Sequence, residues 1–555
     1  MPAAFAEEMR ELFETLPGVS VSELPAFLES LAGERSCGLR RNPLKYTKEE
    51  FEEHMPYVLE KVPWADEGYF YRREEQPGKS PYHEAGAFYI QEPSAMIAAE
   101  LLGARPGEAV ADLCAAPGGK STQIAGQMQG EGLLVCNEYV PSRARILSQN
   151  LERMGAANCV ALKEDVGRMA ERFPLFFDRV LVDAPCSGSG MFRKEEEALL
   201  QWSPENVRMC AERQTEILDH AAKMVRPGGV LVYSTCSFSE AEDEGIVRRF
   251  LQEHQEFSPD DSVLTQELLD AGVCPGGLPG SVRMWPHRLR GEGHFAARLV
   301  KAGTDTEFGG GKTNGTDTEF GRGKTNGTDR ESSGGKANGT DTESGRTKTN
   351  GMDTESGGEK TNGTDTESGR TKANGMDTKS CREKRSGKSM APGKVKTGQA
   401  GGAKKGRAGD RDGQRENRNS FADFCKQYLQ GHYLEKLEEE GRFLWRGEHL
   451  FLVPACLPDL GDLRTERSGL HLGEAKKGRF EPSHTWAMTL KKEDAGQRME
   501  LRDPAAYLRG ETVENEDGLK GWVLMLWRGK PLGWGKAGGN VVKNHYPKGL
   551  RKNIV

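Results

Sequence analysis

The stretch AVADLCAAPGGKST at residues 109–122 decides the predicted fold. It opens with a short apolar run that is typical of a buried strand, and it leads into KSTQIAGQM, which has the spacing of a helix. Between the two, Pro117, Gly118 and Gly119 predict a tight turn where backbone can approach a ligand and the helix N-terminus favours anionic groups. The turn matches neither the GxxxxGK pattern of a P-loop nor the GxGxxG pattern of a dinucleotide fingerprint.

Strand-like and helix-like segments alternate through the surrounding region. The further strand-like runs are GLLVCNE (132–138), CVALKE (159–164), RVLVDA (179–184) and GVLVYST (229–235), with helical patterns between them. This alternation predicts an α/β fold with a mostly parallel, doubly wound, Rossmann-like sheet. The segment GHFAARLVK (293–301) is predicted to be a late edge strand.

The chain divides into four predicted segments. Residues 1–85 predict a small α+β domain, with helices at MRELFETL and ELPAFLESL and a strand at GLRRNPLK, and residues 86–302 form the α/β domain. Seven 12-residue repeats with almost nothing apolar to stack, followed by a basic stretch, predict a low-complexity linker over 303–419. Residues 420–555 predict a mixed or β-rich domain, with helices at FADFCKQYL and YLEKLEE and strands at HLFLVPA, HTWAMTL and GWVLMLWRG.

Composition excludes several classes of protein. With 35% hydrophobic and 29% charged residues in 555, the chain is too polar for one uniformly packed globule. No run of about 18 apolar residues exists, so no membrane span is expected. The N-terminus lacks the pattern of a secretory signal. The odd number of scattered cysteines fits a reducing cytoplasm. Eleven cysteines without a CxxC pair argue against a zinc ribbon and against a disulfide framework, and no metal site is predicted.

The charge is unevenly distributed, although its net value is only −7. Residues 381–420 carry 12 Lys/Arg against 4 Asp/Glu, and residues 521–555 carry 7 Lys/Arg and no acid. Two basic segments on an acidic body are compatible with a polyanion partner such as RNA. On charge alone, a basic linker and a solvated tail explain the pattern equally.

Acidic residues at the ends of the predicted strands indicate a cofactor. Glu138 ends the second strand, 26 residues after Asp112, where a carboxylate suits a ribose diol, and Asp165 closes the third strand region. Each acid alone is more often a helix cap or an ion-pair partner. Together, on a doubly wound sheet without a dinucleotide fingerprint, they favour an adenosyl cofactor, and S-adenosylmethionine in particular.

Two cysteines follow two strands of the same predicted sheet. Cys186 lies in DAPCSGSGMFRK (183–194) and Cys236 in STCSFS (234–239), each just beyond the carboxyl end of a strand, where open α/β sheets place their sites. A cysteine is commonly a small buried hydrophobe, and that role suits Cys136, Cys159 and Cys210. Two thiols beside a cofactor turn are harder to explain in that way.

The motifs DLCAAPGGKST, NEYVPSRARILSQNLERMG, VDAPCSGSGMFRK and YSTCSFSEAEDE resemble, in this order, those of the RNA 5-methylcytosine methyltransferases of the NSUN/Nop2 (RsmB/RsmF) family, and within it the bacterial ribosomal branch. The resemblance runs through residues 1–300 and resumes at 420–555. There, GLHLGEAKKGRFEPSHTWAMTL and GWGKAGGNVVKNHYPKGLRK resemble an RNA-binding region with a PUA-like fold. The insert at 303–419 departs from the family pattern and leaves the placement of the C-terminal domain open.

The resemblance implies a class I methyltransferase domain beside an N-terminal RNA-binding domain, and transfer of a methyl group from S-adenosylmethionine to carbon 5 of a cytosine in RNA. Carbon 5 is a poor nucleophile, and a thiolate that adds to carbon 6 makes it enamine-like. By resemblance, Cys236 is this nucleophile, Cys186 assists product release and Asp183 bonds the cytosine N3/N4 edge. The cofactor residues implied are Cys114, Ala115, Ala116, Pro117, Gly118, Gly119, Lys120, Glu138, Asp165 and Asp183.

Three alternatives to methylation of carbon 5 of a cytosine in 16S ribosomal RNA remain open. The RNA is expected to be 16S ribosomal RNA, free or in a ribosomal subunit, with transfer RNA as the alternative. A methyltransferase acting on an exocyclic amine usually carries Asp/Asn-Pro-Pro-Tyr, whereas this chain has Asp183-Ala184-Pro185-Cys186. A ribosome-assembly RNA-binding protein with vestigial catalysis is a different class, and retention of both Cys186 and Cys236 argues against it.

Overall fold

The computed structural model describes residues 1–303 and 408–551, with side chains of the second stretch described from residue 415. Most of the linker predicted at 303–419, including all but the start of its repeats, lies outside the described residues. Helix α13 begins at Ala408, inside the predicted linker. The two described stretches belong to one structural unit.

The N-terminal part is a four-stranded antiparallel sheet with short helices, in the strand order β2-β3-β1-β4. Its helices are α1 (Ala3–Thr15), α2 (Leu24–Ser30), α3 (Lys48–His54) and α4 (Pro81–Glu84). Its strands are β1 (Gly38–Arg41), β2 (Glu60–Lys61), β3 (Gly68–Phe70) and β4 (Phe88–Ile90). The two helices and the strand predicted from the sequence here are confirmed.

The central part alternates strands and helices as predicted. Its strands are β5 (Ala109–Asp112), β6 (Leu133–Asn137), β7 (Cys159–Leu162), β8 (Phe177–Asp183), β9 (Val225–Thr235), β10 (Phe257–Pro259), β11 (Cys274–Pro275), β12 (Ser281–Met284) and β13 (His294–Lys301). Its helices are α5 (Ile97–Leu102), α6 (Gly119–Gln127), α7 (Pro141–Met154), α8 (Val166–Arg172), α9 (Glu196–Gln201), α10 (Pro204–Met224), α11 (Glu244–Glu253) and α12 (Gln266–Asp270).

Local sequence signals set the ends of these helices. Helix α7 begins with Pro141 in its first turn and ends at Met154, and the next residue, Gly155, has a φ of 75°, which favours glycine. Helix α10 begins after Ser203, whose hydroxyl accepts a hydrogen bond from the Asn206 amide at 3.1 Å. Gly155 therefore sets the end of α7, and Ser203 sets the start of α10.

The central sheet has the order β11-β12-β13-β9-β8-β5-β6-β7-β16, where β16 (Thr465–Arg467) comes from the C-terminal part, and β10 also pairs with β13. Strands β9, β8, β5, β6 and β7 are parallel, and their buried residues form apolar clusters on both faces of the sheet. This confirms the doubly wound α/β fold. The prediction that GHFAARLVK is an edge strand is wrong, because β13 pairs antiparallel with β9 on one side and with β12 and β10 on the other.

The C-terminal part has two sheets, β14-β15-β17-β18 and β19-β21-β22-β23-β20. Its helices are α13 (Ala408–Tyr428), α14 (Tyr433–Glu440), α15 (His484–Ala487) and α16 (Pro504–Arg509). Its strands are β14 (Arg442–Arg446), β15 (His449–Val453), β16 (Thr465–Arg467), β17 (Leu470–Lys476), β18 (Arg479–Pro482), β19 (Arg498–Glu500), β20 (Val513–Glu514), β21 (Gly521–Trp527), β22 (Lys530–Gly538) and β23 (Val541–Asn544).

One strand prediction in this part is wrong. The segment HTWAMTL begins the short helix α15, because the Ser483 hydroxyl accepts a hydrogen bond from the Trp486 amide at 3.1 Å and caps a helical turn. The other two strands and both helices predicted here are present. Trp522 and Trp534 are 5% and 1% exposed, so both are core residues.

The C-terminal part completes the central sheet. Strand β16 pairs antiparallel with β7, and Arg464 donates hydrogen bonds to the Glu164 carboxylate at the same edge. Leu457, Leu460 and Leu463 belong to the apolar cluster that covers one face of that sheet. In the described residues, no helix is both long enough and apolar enough to cross a membrane.

We expect Leu460→Ala to lower the free energy of unfolding by about 2–3 kcal/mol, because it removes a side chain that is 7% exposed and leaves a cavity in the central cluster. Leu200→Ala is the matched control, because Leu200 is 76% exposed, and it should change little. Urea unfolding followed by intrinsic fluorescence measures both. Equal stability of the two variants would show that the segment before β16 does not stabilise the sheet.

Candidate active site

A cavity of about 1020 Å³ lies at the carboxyl ends of the parallel strands. Strand order reverses at β5, which lies between β6 and β8, so this edge is the crevice where open α/β sheets bind ligands. The residues singled out from the sequence that line it are Cys114, Ala115, Ala116, Pro117, Gly119, Lys120, Glu138, Asp165, Asp183, Cys186 and Cys236. The cavity therefore brings together both cysteine loops and the turn after β5.

The turn between β5 and α6 is held by helix α7. Arg143 donates to the Ala116 carbonyl at 2.9 Å, and Asn150 donates to the Pro117 carbonyl at 2.8 Å. Gly118, the one predicted residue that does not line the cavity, has a φ of 114°. A Cβ there would lie 3.3 Å from a Leu147 methyl, so both the backbone conformation and the close packing favour glycine.

Glu138 lies just beyond the end of β6 and is 4% exposed. One carboxylate oxygen accepts a hydrogen bond from the Val140 amide at 2.9 Å, and the other lies 3.2 Å from an Arg143 nitrogen. The same guanidinium, half exposed, thus contacts both Glu138 and the turn after β5. The carboxylate is thus fixed against the cavity by a backbone bond that does not depend on a ligand.

Asp165 and Asp112 are two further acids of the cavity wall. Asp165 caps helix α8, because one of its oxygens accepts hydrogen bonds from the amides of Gly167 and Arg168. Asp112 is fully buried; one oxygen accepts from the Ser121 hydroxyl at 2.6 Å and the other has no partner in the described part of the chain. Burial raises the pKa of Asp112 to about 7.

Asp183 and Lys120 form an ion pair inside the cavity. The Lys120 ammonium lies 2.7 Å from one oxygen of Asp183, and the Ser234 hydroxyl donates to the other oxygen at 2.9 Å. Burial, the largest single effect, would raise the pKa of Asp183, but the charge of Lys120 together with the hydrogen bonds from Lys120 and Ser234 lowers it. Burial likewise opposes the charge of Lys120, and Asp183 outweighs it and raises that pKa. Both groups are therefore charged at neutral pH.

His294 completes this wall from β13. Its Nε2 lies 3.7 Å from an Asp183 oxygen, and the side chain is almost fully buried. Burial, and then the nearby Lys120 ammonium, lower the pKa of His294 to about 3. The imidazole is neutral at physiological pH, so it is a polar, uncharged neighbour of Asp183 and not a cation that pairs with it.

Cys186 and Cys236 meet at the centre of the cavity. Their sulfur atoms are 3.2 Å apart, within hydrogen-bonding contact for two thiols. The hydrogen bond with Cys236, and then burial, raise the pKa of Cys186 well above its ordinary value. The raised pKa favours the protonated form of the Cys186 thiol. Either sulfur could be the donor in the contact between the two thiols.

Asp112 and His294 line the cavity, but the sequence did not identify them as site residues. Asp112 stands within the turn motif, but nothing in the motif shows that its carboxylate is buried in the cavity wall rather than exposed at the end of a strand. His294 comes from β13, about 110 residues after the ion pair's Asp183. No spacing or pattern links it to the site, because only the antiparallel pairing of β13 with β9 brings it there.

A second group of ligand-type side chains lies outside the cavity. His449, His471 and Glu474 on β15 and β17 present ligand atoms within 4.8 Å of one another. The Lys476 ammonium lies 2.5 Å from a Glu474 oxygen and already neutralises that carboxylate. We therefore assign no metal to this group, and the absence of a metal site stays a prediction.

Four family models match the chain in succession. Residues 99–300 match 16S rRNA methyltransferase RsmB/F, and residues 1–93 match the N-terminal domain of 16S rRNA methyltransferase RsmF. Residues 423–490 match the first C-terminal domain of RsmF rRNA methyltransferase, and residues 498–552 match the methyltransferase RsmF PUA domain. The matches fall on both sides of the repeat-bearing insert.

Curated relatives carry a related name. The chain is 35% identical over 306 residues to a ribosomal RNA small subunit methyltransferase F of Shewanella sp. (strain MR-4), covering 53% of this chain and 63% of that protein. It is 34% identical over 311 residues to the protein of the same name from Shewanella baltica (strain OS195), covering 53% and 64%. The matched region thus spans less than two thirds of the length of these relatives.

Solved structures with partial similarity come from Pyrococcus horikoshii. One is a methyltransferase homologue with 25% identity and a TM-score of 0.44, covering 54% of this chain and all of that one. Another is NSun6, with 20% identity and a TM-score of 0.46, covering 53% of this chain and 98% of that one.

We expect iodoacetamide to alkylate Cys236 faster than Cys136 or Cys210. Cys236 lines the cavity, whereas Cys136 is fully buried and Cys210 is 8% exposed. Burial raises the pKa of Cys136 well above its ordinary value and that of Cys210 to about 11, and the thiolate is the species that reacts. Peptide mass spectrometry over time measures each rate, with the exposed Cys456 as the positive control. Cys136 reacting as fast as Cys236 would contradict the cavity geometry.

Proposed function

The chain belongs to the RsmB/F family of 16S rRNA methyltransferases, and on this premise we propose that it methylates carbon 5 of a cytosine in RNA. The observation that carries the proposal is the 3.2 Å contact between the Cys186 and Cys236 sulfurs, in the same cavity as the turn after β5. The names of the curated relatives favour small-subunit ribosomal RNA as the substrate. Transfer RNA would be a distinguishable outcome of the same assays.

S-adenosylmethionine is the cofactor that the cavity suits. Its sulfonium and ammonium groups are cationic, and the wall contains the carboxylates of Glu138 and Asp183. One oxygen of Asp112 has no hydrogen-bond partner in the described part of the chain, so it is available to a ligand. Cys114–Pro117 and Gly119 of the turn line the same cavity. Glu138, at the end of the second strand of this sheet, would hold the ribose diol. When bound, the cofactor supplies an electrophilic methyl group.

Methylation of carbon 5 is chemically difficult, and two thiols can provide the steps that it needs. The Cys236 sulfur would add to carbon 6 of the cytosine, which makes carbon 5 nucleophilic. After methylation, a base must take the proton from carbon 5 so that the Cys236–C6 bond can break. The contact with Cys236 supports a division of labour: Cys186, whose pKa is raised, keeps its proton and stabilises the Cys236 thiolate, and it later assists release.

Asp183 would orient the base. The lowered pKa of Asp183 keeps its carboxylate charged, so it can accept a hydrogen bond from the cytosine amino group at the N3/N4 edge as the thiolate adds. Lys120 and Ser234 fix the two carboxylate oxygens by bonds of 2.7 and 2.9 Å. A cytosine within a duplex would have to leave its stack to reach this depth, at a cost of a few kcal/mol.

The C-terminal part would supply the RNA-binding surface. Its second sheet falls in the region that matches a PUA domain, and residues 521–555 carry seven basic side chains and no acidic ones. Lysine and arginine side chains that neutralise phosphates make binding salt-dependent. Because β16 completes the central sheet, charge substitutions in 521–551 probe this role better than truncation of the whole C-terminal part.

We expect the two cysteine variants to behave in opposite ways. Cys236→Ala should abolish methylation and leave no covalent adduct, because the attacking sulfur is gone. Cys186→Ala should slow release and accumulate a protein–RNA adduct. Denaturing gels with labelled small-subunit RNA and S-adenosylmethionine measure both, with Cys210→Ala as the control outside the cysteine pair. An adduct from Cys236→Ala, with none from Cys186→Ala, would reverse the assignment.

Glu138→Ala should weaken S-adenosylmethionine binding by about 1.5–3 kcal/mol, because charge-assisted hydrogen bonds to the ribose would be lost. Glu138→Gln isolates the charge, since its amide oxygen can still accept from the Val140 amide. Glu171→Ala, an exposed acid on α8, is the control. Titration calorimetry measures all three, and an affinity unchanged in Glu138→Ala would remove Glu138 from the site.

A further inference from the structure

The two cysteines stand on two loops that follow adjacent strands, residues 184–190 after β8 and residues 236–242 after β9. The loops are bonded to each other directly. The Gly190 amide donates to the Cys236 carbonyl at 2.7 Å, and the Phe238 amide donates to the Ser189 hydroxyl at 2.8 Å. The 3.2 Å contact between the sulfurs therefore depends on how these two loops are held together.

A buried carboxylate, that of Glu242, binds both of the loops that carry the cysteines. Glu242 is 0% exposed, and it is not among the described residues that line the cavity. It accepts hydrogen bonds from the Ser187 amide at 2.8 Å, from the Ser187 hydroxyl and from the Ser237 hydroxyl at 2.6 Å. Each of these serines follows one of the two cysteines directly in sequence. One carboxylate thus bridges the residues next to Cys186 and Cys236.

A fourth donor extends the bridge to the residue before Cys186. The Gln214 amide nitrogen, on helix α10, lies 3.1 Å from a Glu242 oxygen and 3.0 Å from the Pro185 carbonyl. Cys186 is therefore flanked on both sides by residues that Glu242 or its partner Gln214 holds. A charge buried in this way is costly unless it is fully hydrogen-bonded, and four donors from the two loops and α10 provide that.

We infer that Glu242 is a positioning residue, which sets the distance between Cys186 and Cys236 by binding the loops that carry them. This inference rests on the proposed function, because it assigns the two sulfurs to one reaction. The Glu242 charge also acts on one of them: after the hydrogen bond to Cys236, burial and the charge of Cys236, it is a further cause of the raised pKa of Cys186. Glu242 thus helps to keep the Cys186 thiol protonated.

The test compares Glu242→Gln with Glu240→Gln. Glutamine keeps the size of the side chain, but it has one acceptor oxygen, and its NH₂ group faces donors. Glu240 is the matched control, because it lies two residues away and its half-exposed carboxylate pairs with Arg248 at 2.7 Å. Methylation of small-subunit RNA gives kcat and KM, and alkylation of Cys186 over a pH series gives its titration midpoint without RNA.

For Glu242→Gln we expect kcat to fall about 100-fold with the KM for RNA within about twofold, since misplacement of reacting groups by about 1 Å has effects of this size. The midpoint for Cys186 alkylation should move to lower pH, because the neighbouring negative charge is gone. Glu240→Gln should match the wild type in both readouts. A kcat within about twofold of the wild type, or an unmoved Cys186 midpoint, would overturn the inference.

Ser187→Ala and Ser237→Ala keep the inference testable if Glu242→Gln does not fold. Each removes one hydroxyl donor from one loop while leaving the carboxylate in place, so each should lower kcat without raising the KM for RNA. Wild-type kcat in both would overturn the inference. If the wild-type protein itself methylates no cytosine, the proposed function fails, and the alkylation profile of Cys186 still decides the role of Glu242.

Discussion

The reversal of strand order at β5 is the constraint on which the rest of the structure depends. Because β6 lies on one side of β5 and β8 on the other, the connections leave the sheet in opposite directions and open a crevice at the carboxyl ends. The turn after β5, the acid after β6 and the cysteine loops after β8 and β9 all meet there. The turn after β5 and the loop that carries Cys236, about 120 positions apart in the chain, are thereby placed in one cavity.

Burial gives these groups their chemical character. Lys120 and Asp183 stay charged because each compensates the charge of the other. Asp112 and His294 lack such a close ion pair, so burial raises the pKa of Asp112, lowers that of His294 and favours the neutral form of both. For Cys186, the hydrogen bond with Cys236 and then burial raise the pKa of the thiol. One cavity thus contains the charged carboxylate of Asp183, the neutral imidazole of His294 and the Cys186 thiol with its raised pKa.

The sequence predicted the central sheet because its parallel strands are short runs buried on both faces, a pattern that is local. HTWAMTL was mispredicted because a serine cap outweighed its strand-like composition. The positions of β13 and β16 depend on long-range pairing, which no local pattern encodes. The cysteine loops and the turn could be found from motifs, whereas Glu242 and His294 could not, because only the folded chain brings them to the site.

The most direct test of the proposed chemistry is bisulfite sequencing of ribosomal RNA from cells with and without this gene. A cytosine methylated at carbon 5 resists conversion, so we expect at least one position in 16S ribosomal RNA to be protected only when the gene is present. A wild-type copy should restore the protection, and a copy carrying Cys236→Ala should not. Identical protection in both strains, across ribosomal and transfer RNA, would contradict the account.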